Sequence, residues 1–373
     1  AQMPPAPAAG RAPRRREGHV MSARMHIPEY APIPRRSIDA SASAFLGVLL
    51  LLAVAAFGCW LVGMRSPDIG TDTHTYAGFF EGQNDYGVET RLEPGFVYLT
   101  YVLWKLDVGV IGYQTALFAL LLGTIVVATR RYFDFLGDRT GYLTFLGAAV
   151  MMLFISPMFV NASINGVRQG LSALLVFTSL LSFQQRRWGR FVLYGAIAAS
   201  LHLSSLLFLV FAPVLLFGTR VQRLLAALAF LMYVTGISMA LVRALIPPLY
   251  EVVMTYTATS RFDPGVRIDF AVFSIFWYML PYALASLVRV EYRRKIQESA
   301  AVYLVMLLPF FAVGWGYFSN RYLLPAWLSA SLILAAMLVH SRIALLRHPL
   351  ILRLGLILSC AVLYYYVTNE IVI

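Results

Sequence analysis

The sequence predicts an all-α, polytopic integral membrane protein, one helical bundle of about nine to twelve membrane segments that include re-entrant or half-helices. Three observations carry that prediction. Of 373 residues, 60% are hydrophobic and 13% are charged, and the mean hydropathy is +0.71. Apolar runs long enough to cross a bilayer recur along the chain, so one membrane domain accounts for a length that would otherwise divide among several soluble ones. Alternate connections between the runs are short and rich in arginine, as cytoplasmic loops are. The formal net charge is +12, almost all of it from arginine, since Lys105 and Lys295 are the only lysines. In a soluble chain that excess would suggest nucleic acid; in short loops it sets orientation, and no nucleic-acid partner is expected. Cys59 and Cys360 stand in separate apolar runs, the pattern of packed small hydrophobes rather than of a disulfide framework or metal site.

Residues 1–40, rich in Pro, Ala and Arg and without periodicity, predict a disordered, basic cytoplasmic tail in which Met21 and Met25 offer alternative native starts. The membrane domain is then 41–373. Its first span, Ala44 to Met64, starts in the cytoplasm because arginines precede it. A polar stretch from Arg65 to Glu93 follows outside. Glu93-Pro94-Gly95 then opens Phe96 to Leu106, too short to cross and expected to be interfacial or re-entrant. Val110 to Thr129 returns to Arg130 and Arg131. Tyr142 to Ser156 leads out to the polar island Ile164 to Gly170, and Leu171 to Phe183 leads back to Arg186, Arg187 and Arg190. Phe191 to Phe217 predicts two half-helices meeting near Leu201-His202-Leu203, because a single crossing would leave Arg220 and Arg223 outside. Leu224 to Ile246 exits, Phe270 to Val288 re-enters, Ala301 to Phe318 exits, Leu323 to Val339 returns, and Leu350 to Val367 ends outside. Outer loops are therefore expected near 65–109, 157–168, 247–269 and 319–321, with the N-terminus cytoplasmic and the C-terminus on the outer side.

Arg168 is the most demanding residue of this plan. A charged side chain at bilayer depth costs roughly 2.5–3.5 kcal/mol on insertion scales, so it faces a protein interior, a water-filled cavity or an anionic partner. A helix-end arginine snorkelling to the headgroups would also satisfy the rule. Gly166, Gln169 and Gly170 beside it favour a built site, since they allow close backbone approach and hydrogen bonding. The topology gathers Arg65, Asp68, Asp72, His74, Glu93, Arg168, Gln169, Arg261, Asp263, Arg267 and Arg321 at the outer face, with His202 deeper. Guanidinium forks hold phosphate oxygens bidentately and keep their charge, which suits a diphosphate leaving group. A carboxylate or histidine nearby takes the proton of an attacking hydroxyl. Structural roles stay open for the same residues: turns for Asp68 and Asp72, a helix cap for Glu93, a bundle hydrogen bond for His202, an interface anchor for Arg321. Asp68 and Asp72 alone are too few ligands for a metal, and no metal site is expected.

Read together, Gly70-Thr71-Asp72 followed by Tyr76, Glu93-Pro94-Gly95-Phe96, Asn165 to Gly170 with its Arg168-Gln169 pair, Leu201-His202 and Asn320-Arg321-Tyr322 resemble the EpsG-type membrane proteins. These are grouped with the Wzy-like polymerases of bacterial exopolysaccharide and O-antigen. The resemblance runs from about Val62 to Tyr322 and rests on the order and spacing of short motifs. Thr73-His74-Thr75 places an additional histidine beside Asp72 and leaves open which of the two matters. The resemblance implies a multi-pass glycosyltransferase of the bacterial inner membrane, GT-C-like, that joins undecaprenyl-diphosphate-linked repeat units at the periplasmic face without cofactor or metal. It implies that Arg168 and Arg321 hold the diphosphate, with Gln169 supporting, and Arg65 of the same outer cluster is expected to bind it too. Asp72, Glu93 or His202 would be the general base, Asp72 slightly ahead because its loop faces the side where soluble glycans accumulate. Expected partners are the lipid-linked glycans, membrane lipid, and a chain-length regulator and flippase of the same pathway. Two rivals share these features. An O-antigen ligase or polyprenyl-phosphate-sugar transferase would add one unit instead of extending a chain. A flippase for lipid-linked glycan would use the same arginines, although the sequence shows no broken helices in matching positions of two halves.

Overall fold

The computed structural model describes residues 35–84, 92–254, 264–317 and 319–371. The chain divides into two compact units, Ala1–Ala42 and Ser43–Ile373, and the first contributes only the beginning of one helix to the described residues. Among the described residues there is no strand, and a single bridge pairs Val288 with Ser341. In chain order the helices are α1 (Arg35–Gly63), α2 (Thr73–Glu81), α3 (Pro94–Lys105), α4 (Gly109–Leu136), α5 (Tyr142–Phe154) and α6 (Pro157–Ile164). They continue as α7 (Val167–Gln184), α8 (Trp188–Leu201), α9 (Ser205–Leu209), α10 (Thr219–Val234), α11 (Ile237–Leu245) and α12 (Pro247–Met254). The last four are α13 (Ile268–Ala283), α14 (Val290–Val313), α15 (Ser319–Val339) and α16 (Pro349–Thr368).

Among the described residues five helices are long and apolar enough to cross a membrane, in α1, α4, α14, α15 and α16, or seven if the bent pairs α5–α6 and α10–α11 each count as one. The protein is thus a polytopic helical membrane protein. The helix at its centre is none of these. In α7 every residue from Val167 to Phe183 except Arg168 is buried, and α4, α6, α8, α9, α14 and α15 pack around it. Its polar residues Gln169, Ser172, Thr178, Ser179 and Ser182 therefore meet protein instead of lipid, and they dilute the hydropathy that marks a lipid-facing span. Gly170 is what lets α6 and α7 close: a Cβ there would run into the carbonyl oxygen of Ala162.

Several boundaries differ from those read in the sequence. The expected outer loop near 157–168 is mostly α6, buried from Met158 to Ile164 and turned 84° from α5. Pro157 explains the turn, because its position at the head of α6 ends one helix and pre-sets the next. Leu224 to Ile246, read as one crossing, is likewise broken at Thr235-Gly236, with an 84° bend between α10 and α11. Residues 319–321 form the first turn of α15 rather than a loop, and 65–109 contains α2 and α3. Helix α4 runs on past Arg130 and Arg131 to Leu136 because their charge is answered: Arg130 pairs with Asp134 at 3.5 Å, and Arg131 donates to the Tyr194 hydroxyl at 3.0 Å. The segment 191–217 does break where the sequence predicts. Helix α8 ends at Leu201, His202 is extended, and α9 starts at Ser205.

Candidate functional site

Three chain breaks meet around one carboxylate. Glu93 precedes Pro94, and a residue before proline is driven into extended backbone; its φ of −70° and ψ of 144° fit that constraint. The side chain makes no capping bond to α3. It turns instead to the break between α8 and α9, where one carboxylate oxygen accepts the Leu203 N–H at 3.0 Å and lies 2.8 Å from His202 Nδ1. The other oxygen pairs with Nη1 of Arg168, the second residue of α7. Arg168 also donates through Nε to the Tyr76 hydroxyl at 3.5 Å. All three charged or titratable side chains are largely enclosed: Glu93 is 12% exposed, His202 22% and Arg168 24%. Burial pushes the Glu93 carboxyl up, but His202, the Leu203 N–H and Arg168 outweigh it and hold it down to about 2. Glu93 is therefore a fixed anion.

A second set of residues forms a cavity of about 200 Å³ next to this cluster, lined by Gln169, His202, Ser204, Phe208, Val252, Val253, Tyr317, Arg321 and Tyr322. The buried Gln169 amide donates to the main-chain carbonyl of Arg321, which ties the start of α7 to the first turn of α15. His202 belongs to both sets. Its Nδ1 faces a carboxylate that can only accept, so Nδ1 carries the hydrogen, and in the neutral ring the lone pair is then on Nε2.

The remaining sequence candidates stand elsewhere. Asp72 precedes α2 without capping it and does not line the cavity, although its charge and that of Arg321 both reach the buried Tyr76 hydroxyl. Gly70, with a φ of +94°, presses its loop so closely on Ile164 and Asn165 that a Cβ would clash with both. His74 turns away from Asp72 to pair with the exposed Asp68 at 3.0 Å. Arg65 donates to the Val62 carbonyl at 2.5 Å and to Thr73 Oγ1 at 3.4 Å. It lines a separate, water-sized void of about 10 Å³ with Tyr76, Gln114 and Ser163, and burial draws its pKa down to about 10. Arg267 pairs with Asp269 at 2.6 Å, outside the cavity. Arg261 and Asp263 lie outside the described residues. Among the described residues no three His, Cys, Asp or Glu side chains converge as metal ligands.

The structure therefore brings Glu93, Arg168 and His202 into contact and joins Gln169 and Arg321 to them, while Asp72 and Arg65 do not line the cavity. Tyr76, Ser204, Phe208 and Tyr317 join the site without having been singled out for a role. For Tyr76 a signal existed, since it falls one helical turn after Asp72; for the others nothing local marks them. The EpsG family model matches residues 48–372. No curated protein and no solved structure matches the chain.

Proposed function

This chain belongs to the EpsG family, a Wzy-like polysaccharide polymerase family, and from that membership we propose that it is a glycosyltransferase joining lipid-diphosphate-linked oligosaccharide repeat units. The observation that carries the reading is the hydrogen-bonded chain Arg168–Glu93–His202, whose His202 end is on the wall of a cavity that Arg321 also lines. Such a chain is built for proton removal beside an anion. His202 Nε2 is the general base, and Glu93 keeps the imidazole in the required tautomer and stabilises the imidazolium that forms. Glu93 itself is a poor base because its lone pairs are committed to His202, Leu203 and Arg168. Asp72, favoured on sequence grounds, falls behind because it lies off the cavity.

In the proposed step, the acceptor sugar's hydroxyl oxygen bonds to the donor's anomeric carbon while its proton passes to His202. The bond from that carbon to the diphosphate oxygen breaks, and the electron pair leaves with the diphosphate. Arg321 and the donors of Arg168 not committed to Glu93 and Tyr76 stabilise the charge that develops there. The first N–H groups of α7, on which Arg168 sits, add positive potential in the same place. Because a lipid diphosphate is an activated leaving group, the step calls for no nucleotide. On the expected topology it takes place at the periplasmic face of a bacterial inner membrane.

The test is the size distribution of lipid-linked and released glycan in a bacterial strain lacking this protein, complemented with wild type, His202→Gln or Arg168→Ala. Single repeat units accumulating on the outer side, with long chains restored only by wild type, are expected. Repeat units held on the cytoplasmic side would replace this reading with a flippase, and full-length polymer from both variants would remove the site.

A further inference from the structure

The cavity beside His202 contains more recognition chemistry than proton transfer uses. Ser204 Oγ is buried and has no hydrogen-bond partner among the described residues, although Ser204 is part of the cavity lining. Leaving a buried hydroxyl unpaired is unfavourable, so its position asks for a polar occupant. Gln169 spends its amide N–H on Arg321 and keeps its carbonyl oxygen as an acceptor. With His202 Nε2, these are three groups suited to hydroxyls. Apart from Arg321, which the proposed step assigns to the leaving diphosphate, the rest of the lining is aromatic or apolar, with Phe208, Tyr317 and Tyr322 among it. Hydroxyls combined with an apolar C–H face are the surface of a pyranose, and tyrosine rings match that face. A hydrocarbon tail would leave Ser204 and Gln169 unpaired, and a free phosphate would leave the aromatic wall unused.

Size narrows the occupant further. A cavity of about 200 Å³ falls below the roughly 300–1,000 Å³ of pockets that enclose drug-sized ligands, and one sugar ring is the unit of that scale. We propose that the cavity is a subsite for a single sugar ring, the acceptor's terminal residue. Ser204 Oγ and Gln169 Oε1 bond its hydroxyls, Tyr317 covers its apolar face, and the hydroxyl to be deprotonated lies at His202. The acceptor assignment rests on the polymerase reading; the sugar site itself does not. Selection then acts on the terminal ring, and the rest of the repeat unit lies beyond the cavity.

Saturation-transfer NMR on the purified full chain in detergent tests this, using methyl glycosides of glucose, galactose, mannose and their N-acetylamino forms, with matching disaccharides as second probes. At least one methyl glycoside is expected to bind, with transfer in its disaccharide concentrated on the terminal ring. Ser204→Leu, which fills the space, is expected to weaken binding by about tenfold or more, the equivalent of one buried interaction. Ser204→Ala, which removes only the hydroxyl, is expected to weaken it less while leaving the melting temperature intact. No binding by any glycoside, equal transfer to both rings, or binding unchanged in both variants would overturn the subsite. Loss of glycoside binding with polymer length unaltered would overturn the acceptor assignment alone. If Arg168→Ala abolished polymer while glycoside binding persisted, the subsite would stand.

Discussion

At the scale of single residues, the site reorders three candidate bases among which the sequence puts Asp72 slightly ahead. If His202 is the base and Glu93 its orienting anion, Glu93→Gln slows transfer by about 10²–10⁴-fold, the usual worth of a positioned base, while Asp72→Asn costs less than about tenfold. Rates of polymer formation on purified lipid-linked acceptor and donor decide between them, and equal losses would return Asp72 to the mechanism. Why this ranking was invisible in the sequence is physical. The residue types were legible, and so was the need of Arg168 for an anion, but Glu93 lies 75 residues from Arg168 and 109 from His202. No local period carries such a pairing. A second histidine gives the pH dependence. His340, 1% exposed just beyond α15, stacks on Tyr292 with ring centroids 3.7 Å apart and lies 3.8 Å from Asp138. Burial holds its pKa down to about 4 against an ordinary 6.5, so the folded state keeps it neutral where the unfolded chain takes up a proton. Its contribution is complete above pH 6.5 and is lost as pH falls towards 4. Melting temperatures measured across that window are expected to drop for wild type and to drop less for His340→Phe.

At the scale of elements, hydropathy revealed where helices run but not where they turn. The runs behind α1, α4, α14, α15 and α16 stand out because each spends a face on lipid or an apolar neighbour. The bends at Ser156-Pro157 and at Thr235-Gly236 interrupt runs that stay apolar on both sides, so composition gives no sign of an 84° change in direction. The result is a short helix, α6, pressed against the start of α7 where Gly170 meets Ala162. Gly170 is the test of that contact. Gly170→Val is expected to destabilise by about 1–3 kcal/mol through overpacking and to weaken polymer formation, because the α7 backbone that carries Arg168 and Gln169 must retreat from Ala162. A melting temperature and activity both equal to wild type would show that α6 does not set the site.

At the scale of the whole molecule, the bundle is built in reverse of a soluble protein. Large apolar side chains of α1, α10, α13 and α16 are exposed, among them Leu52, Leu224, Phe276 and Leu358, while polar side chains such as Gln169, Ser172, Thr178 and Ser182 of α7 are buried. Fold class was therefore the most legible property of the sequence, since an apolar exterior is written in composition. The central helix was harder to read for the same reason: α7 resembles a helix that lipid would reject. That has a consequence for how the protein is made. During synthesis α7 emerges with Arg168, Gln169 and a row of hydroxyls before α8, α14 and α15 exist to cover them, and lipid alone is a poor resting place for it. Only α4 and α6, among the helices packed on it, precede it in the chain. Its passage into the bilayer is expected to be cooperative, held beside α4 or at the insertion machinery until the second half of the chain arrives.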